Sequence, residues 1–232
     1  MKQNEKKKGR YSILTKVMGF IGVDKYDFIC CMGKALSEME KKVLLVDYTS
    51  LRGLMSTIPE YIEGKITEYQ GLFYLGDPAI GEIQRLVQTN TYDFILMDFD
   101  YVCARKDIFL CQNIVFLTDM QRHHLEVIEN IKVPSTMQKY LILRMEYLSR
   151  KSSVYLRQIA KNMGVDEGRY FYCPWGERER RNQLRCQYQY EIPWKKCPSI
   201  MKKIIWNLIK ECTEPATKRN EMTIGMRTEQ VG

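Results

Sequence analysis

The chain has 232 residues, 45% of them hydrophobic and 28% charged, with a formal net charge of +8. These are ordinary values for a globular protein with one large core, and less readily for one with two small ones. No apolar run approaches the ~20 residues that a membrane-spanning helix needs. The first ten residues are polar and basic. The apolar stretch from Tyr11 to Val23 is broken by Thr15, Lys16 and two glycines, which makes a poor signal peptide. Eight cysteines, at 30, 31, 103, 111, 173, 186, 197 and 212, form no C-x-x-C pair, and several sit inside apolar runs. They read as small buried hydrophobes in a reducing, cytoplasmic compartment.

From Tyr11 the pattern alternates between short apolar runs and helical stretches. Ser12 to Phe20 reads as a strand, and Lys25 to Glu40 as a helix with apolar residues at Phe28, Ile29, Met32, Ala35, Leu36 and Met39. Lys42–Asp47 (KVLLVD) and Gly71–Leu75 (GLFYL) are buried strands, followed by a helix over Ile80–Gln88. Tyr92–Asp98 (YDFILMD), Asn113–Thr118 (NIVFLT) and Lys139–Leu143 (KYLIL) are further strands. Helices are expected near 120–131 and 152–163, a strand at Arg169–Cys173, and helices at 177–186 and 199–211. Strands that are apolar throughout, separated by amphipathic helices, belong to a parallel sheet covered on both faces. With right-handed crossovers this is an α/β, doubly wound, mostly parallel sheet with helices on both faces. The expected organisation is a basic extension at 1–10, one domain at 11–212, and a polar, aperiodic, disordered tail at 213–232.

Ligands of such sheets bind beyond the carboxyl ends of the strands. Asp47, Asp98 and Asp119 all fall there, where a carboxylate either meets a metal-bound ligand or caps the next helix. Between the first strand and first helix runs Gly19-Phe-Ile-Gly22-Val23-Asp24-Lys25-Tyr26. A phosphate-binding loop uses glycines to turn backbone N–H groups inward, a lysine for phosphate charge, and a serine or threonine for magnesium. Gly19, Gly22 and Lys25 stand at the expected spacings. Asp24 occupies the place of the last glycine and puts negative charge against a phosphate. Tyr26 occupies the place of the hydroxyl residue and cannot reach a magnesium ion in the same way.

With these residues the chain resembles the ParA/MinD family of deviant P-loop ATPases over roughly residues 11–212. The family's K-G-G-x-G-K-[ST] loop falls with its first lysine on Phe20, its glycines on Ile21, Gly22 and Asp24, its second lysine on Lys25 and its hydroxyl on Tyr26. KALSEMEKKVLLVDYTSLRGL is similar to the helix and the strand ending in D-x-D, with Asp47 first and Thr49 in place of the second aspartate. YDFILMD resembles the Walker B-like strand and puts Asp98 at the metal-associated position. LILRMEY and YFYCPWGERERRNQL resemble the borders of the adenine pocket, on Arg144 and Pro174. The resemblance implies ATP or ADP with magnesium held through Asp47 and Asp98, and a nucleotide-sandwich homodimer. Phe20 replaces the lysine that in the family reaches the partner's phosphates, an arginine-finger-like charge worth ~10³–10⁵ in rate. Losing it together with the hydroxyl, the loop glycine and the second aspartate implies a weak or inactive ATPase. A nucleotide is then either bound and not spent or not bound at all, and a dimer forms by another route or not at all.

Decay of this kind resembles TadZ-type members, which implies a protein that acts by contacts with partners of a membrane-associated assembly such as a pilus or secretion system, cytoplasmic or peripheral at the inner face of the membrane. Two other readings stand beside it: a working ATPase for DNA partition or cell-division positioning, and a basic nucleic-acid-binding module. Arg178, Arg180, Arg181 and Arg185 alternate with Glu177 and Glu179, so they form either a solvated, internally paired helix or a partner or DNA-backbone surface. SIMKKIIWNLIKEC is expected to pack on the core through Ile200, Ile204, Leu208 and also Ile205 and Trp206, with peripheral membrane contact as the alternative. His123-His124 and the Tyr188/Tyr190 pair carry no metal or kinase signature.

Overall fold

A computed structural model describes residues 14–101, 106–146 and 149–213. Eight strands form one sheet in the order β3-β4-β2-β5-β1-β6-β7-β8. They are β1 Lys16–Gly22, β2 Val43–Asp47, β3 Thr67–Tyr69, β4 Leu72–Gly76, β5 Phe94–Phe99, β6 Asn113–Thr118, β7 Gln138–Met145 and β8 Tyr170–Pro174. All neighbours are parallel except β3 with β4, which are antiparallel. The central strands β1, β2, β5 and β6 are buried almost without interruption, as strands covered on both faces must be.

The helices are α1 Tyr26–Glu38, α2 Glu82–Gln88, α3 Arg122–Asn130, α4 Arg150–Asn162, α5 Glu177–Tyr188 and α6 Ser199–Thr213. One core cluster joins α1 and α6 to one face of the sheet, and a second joins α2, α3 and α4 to the other. The doubly wound plan is therefore observed. Gly33 lets α1 sit close on the sheet, since a Cβ there would lie 3.1 Å from Leu45 Cδ2. In α6 the buried residues are Met201, Ile204, Ile205, Leu208, Ile209 and Cys212, whereas Ile200 and Trp206 are exposed. Core packing of α6 is thus observed, with its apolar stripe rotated from the expected one. All seven described cysteines are buried and none is in a disulfide; Cys103 lies outside the described residues.

Most element boundaries move by one to three residues. Two differences are larger. The short edge strand β3 is absent from the sequence reading, because Thr67-Glu-Tyr carries no apolar run. The first strand begins at Lys16, four residues late, and continues to Gly22, two residues further than Phe20. The extension 1–10 and the tail from 214 onward lie outside the described residues, and Thr213 closes α6.

Candidate functional site

The carboxyl ends of β2, β5 and β1 lie side by side, with Asp47 opposite Asp98 and Asp98 opposite Phe20 in register. Here a phosphate loop would begin. Instead β1 runs straight through it: Gly19, Phe20, Ile21 and Gly22 pair with Ile114 to Leu117 of β6, and Val23 N–H donates to Leu117 O at 3.1 Å. Those residues are engaged in sheet pairing and do not form a cradle for an anion. Gly22 is needed for this path. Its φ is +134°, and a Cβ would lie 1.7 Å from Leu117 O. Asp24, where the family has its last glycine, also has a left-handed backbone, with φ +40°, a conformation that aspartate adopts more readily than most residues.

Lys25 ends the turn and sits at the N-cap of α1 without capping through its side chain. Only 5% exposed, it folds back so that Nζ donates to Gly22 O at 3.1 Å and lies 2.7 Å from Asp98 Oδ1. Burial pushes the Asp98 carboxyl up to about 7, against the pull of Lys25 and with added repulsion from Asp47. Asp47 is fully buried and committed to its own loop. Its Oδ1 accepts from Thr49 N–H at 2.9 Å and Thr49 Oγ1 at 2.6 Å, and its Oδ2 accepts from Leu54 N–H at 2.8 Å and Met55 N–H at 3.1 Å. Thr49, which stands in place of the second aspartate, thus serves Asp47. Asp119 closes the turn that leads into α3, accepting from Gln121 N–H at 2.8 Å, with His124 Nδ1 also 2.8 Å away, while α3 itself has no side-chain cap. Tyr26 packs its ring against Gly53 in the loop after β2, and burial raises its phenol far above the ordinary range.

One buried ion pair escaped the sequence reading. Asp27, in the first turn of α1, is 4% exposed and faces Arg144 from β7, 3% exposed. Arg144 Nη1 and Nη2 donate to the Asp27 carboxylate at 3.0 and 3.3 Å, and Nη1 also donates to Asp24 O. The guanidinium carbon lies 4.1 Å from the centroid of the Trp175 ring. Burial raises the Asp27 carboxyl, opposed by the Arg144 guanidinium and by the Phe28 backbone amide. Pro174 ends β8 opposite Met145, and Arg144 lies opposite Cys173, one position away in the register. Arg144, however, reaches toward α1. The signal that could have found Asp27 is an acid two residues after a loop lysine, at a helix start where a phosphate would sit.

The proposed magnesium ligands are therefore spoken for: Asp47 by four donors, Asp98 by Lys25. Among the described residues no cluster of three or more histidine, cysteine or acidic side chains could hold a metal ion. With Asp27 and Asp24 at the head of α1 and four residues of the loop in the sheet, the side chains present do not fit a magnesium-bound triphosphate. The arginines of α5 lie on its outer surface. Arg181 pairs with Glu177 at 2.7 Å, Arg180 with Glu146 at 3.3 Å, and Arg178 donates to Lys196 O at 3.4 Å, while Arg185 lies in the last turn. Only the Arg181–Glu177 pair lies within the helix; Arg180 and Arg178 reach Glu146 and Lys196 O outside it.

Neither a family model nor a curated protein matches the sequence. Solved structures do. A ParA family ATPase from Chlorobium tepidum superposes with a TM-score of 0.62 at 17% identity, covering 84% of this chain and 98% of that one. The MinC:MinD cell division complex of Aquifex aeolicus gives 0.63 at 13% identity, covering 86% and 98%. The chain has the ParA/MinD fold. A plasmid partition protein from Borrelia burgdorferi bound to AMPPNP gives 0.57 at 14% identity, over 85% and 99%. The ParA/MinD-like frame thus extends over nearly the whole length of these relatives. No helix among the described residues is long and apolar enough to cross a membrane.

Proposed function

We propose that this chain is a ParA/MinD-fold protein that does not hydrolyse ATP and acts through protein contacts, positioning or assembling a membrane-associated machine such as a pilus or secretion system. The observation that carries the reading is the Lys25–Asp98 ion pair, 2.7 Å long and buried. In a P-loop enzyme the lysine takes phosphate charge and the carboxylate serves magnesium; here each neutralises the other. Four of the loop residues, Gly19 to Gly22, lie in the sheet, and Asp47 holds its own loop.

Protein contact is supported by what the same edge exposes. Leu51 after β2, Ile80 after β4 and Phe109 after β5 are 89%, 97% and 66% exposed. Leu51 and Ile80 extend from the loops behind the neighbouring strands β2 and β4, Phe109 from the short 3-10 helix Lys106–Leu110. Arg52 pairs with Glu63 within the first loop at 2.8 Å and ties it to the second through Asp77 at 3.5 Å. Large apolar side chains held outward on tied loops suit a protein partner. The solved MinC:MinD complex is a case of this fold joined to a protein partner.

A magnesium-ATP turnover assay on the full chain tests the reading. No turnover above the buffer rate is expected, and hydrolysis at the rate of a working partition ATPase would overturn it. Gene neighbourhood separates the partners: adjacent secretion or pilus motor genes support the positioning role, and an adjacent DNA-binding partner gene supports partition instead.

A further inference from the structure

The head of α1 is built like an anion site. A 13-residue helix begins at Tyr26, so its first-turn N–H groups and its macrodipole present about half a positive charge. Arg144 adds a full charge from β7, buried at 3% exposure, and its Nε has no hydrogen-bond partner. The Trp175 ring backs the guanidinium. A buried arginine whose Nη donors face a helix N-terminus is the equipment that recognises phosphate oxygens. Yet the oxygens it meets belong to the chain itself, from the Asp27 carboxylate and the Asp24 carbonyl.

We infer that Asp27 is the internal occupant of this anion site, a carboxylate held by Arg144 and the α1 N-terminus where a ligand phosphate would otherwise lie. The inference rests on the non-hydrolytic reading above and names the residue that keeps phosphate out. A second anion entering the site would meet Asp27 at short range in a dry environment and would have to displace it from Arg144. Exposed Asp24, by contrast, is screened by solvent and contributes little to the exclusion.

The test measures binding of inorganic pyrophosphate and of ATP, by calorimetry and by thermal shift against chloride of matched ionic strength. Wild type, Asp27→Asn, Asp27→Ser and Asp24→Asn are compared. The wild-type protein is expected to gain no stability from pyrophosphate beyond the chloride control. Asp27→Asn keeps the shape and removes the charge, so it should bind pyrophosphate at least about tenfold more tightly than wild type. ATP binding by the same variant would place the site's preference with nucleotides, and pyrophosphate binding alone with free phosphates; either supports the internal-occupant role. Specific stabilisation of the wild type by pyrophosphate overturns it, and this arm needs no variant to fold. An equal gain from Asp24→Asn, or no gain in a folded Asp27 variant, also overturns it. If the wild type stays silent and the variant gains nothing, only this inference falls; wild-type ATP turnover is what would sink the proposed function.

Discussion

Two neighbouring regions of the same sheet edge treat their side chains in opposite ways. At the end of β1, four charged groups (Lys25, Asp98, Asp27 and Arg144) are buried and turned on one another. Beyond the ends of β2 and β4, Leu51 and Ile80 are apolar and turned outward, as is Phe109 in the 3-10 helix before β6. A catalytic pocket would reverse this, with charge offered to a ligand and apolar groups enclosing it. Under the proposed function, the difference teaches that the ParA/MinD frame is kept while its central charges hold the fold and its rim meets a partner.

The comparison is broken most severely at Gly22. Its φ of +134° and the 1.7 Å clash of any Cβ with Leu117 O leave alanine no place while β1 stays paired. Gly22→Ala should cost more than about 4 kcal/mol, in the exceptional range for a point mutant, measured by urea unfolding. A loss below 1 kcal/mol would mean that the strand readily leaves this path. Next comes Arg144→Met, which leaves Asp27 buried without its cation. A cost of about 3–5 kcal/mol is expected, and adding Asp27→Asn should recover part of it. Additive losses in that double-mutant cycle would deny the pair.

Asp98 gives a pH signature. Its folded pKa is raised to about 7, above an unfolded value of about 3.9. The folded state therefore binds more protons than the unfolded state between these values. This group's stabilising contribution is present below about pH 4 and is lost as pH rises through about 7. Asp98→Asn should flatten the fall in melting temperature between pH 5 and 8 by the equivalent of roughly 2–3 kcal/mol. An unchanged slope would contradict the raised carboxyl. The smallest expected effect on stability is that of Ile80→Glu, within about 0.5 kcal/mol because the side chain is exposed. The same change should weaken binding to the partner, once that partner is supplied by the neighbouring genes.

Much of the fold was legible because KVLLVD, YDFILMD and NIVFLT announce buried strands through unbroken apolar runs, and amphipathic stretches separate them. The limits lay where pattern and tertiary context part. Gly19-Phe-Ile-Gly22 reads as a loop by its glycines, but Phe20 and Ile21 are core residues and the glycines admit close neighbours from β6. Asp27 reads as an ordinary acid in a helix's first turn; its meaning depends on Arg144, 117 residues away. That Lys25 would turn inward was also hidden, since the same residue at the same spacing faces phosphate when the loop is wound. The pairing of Asp47 with the turn at 54–55 likewise requires the fold.

The central claim is that the charges at the end of β1 serve one another and no nucleotide. Equilibrium dialysis of the full-length wild-type chain against labelled ATP with magnesium tests it most directly. No saturable binding is predicted at physiological millimolar ATP; saturable, magnesium-dependent binding in the micromolar range would contradict it.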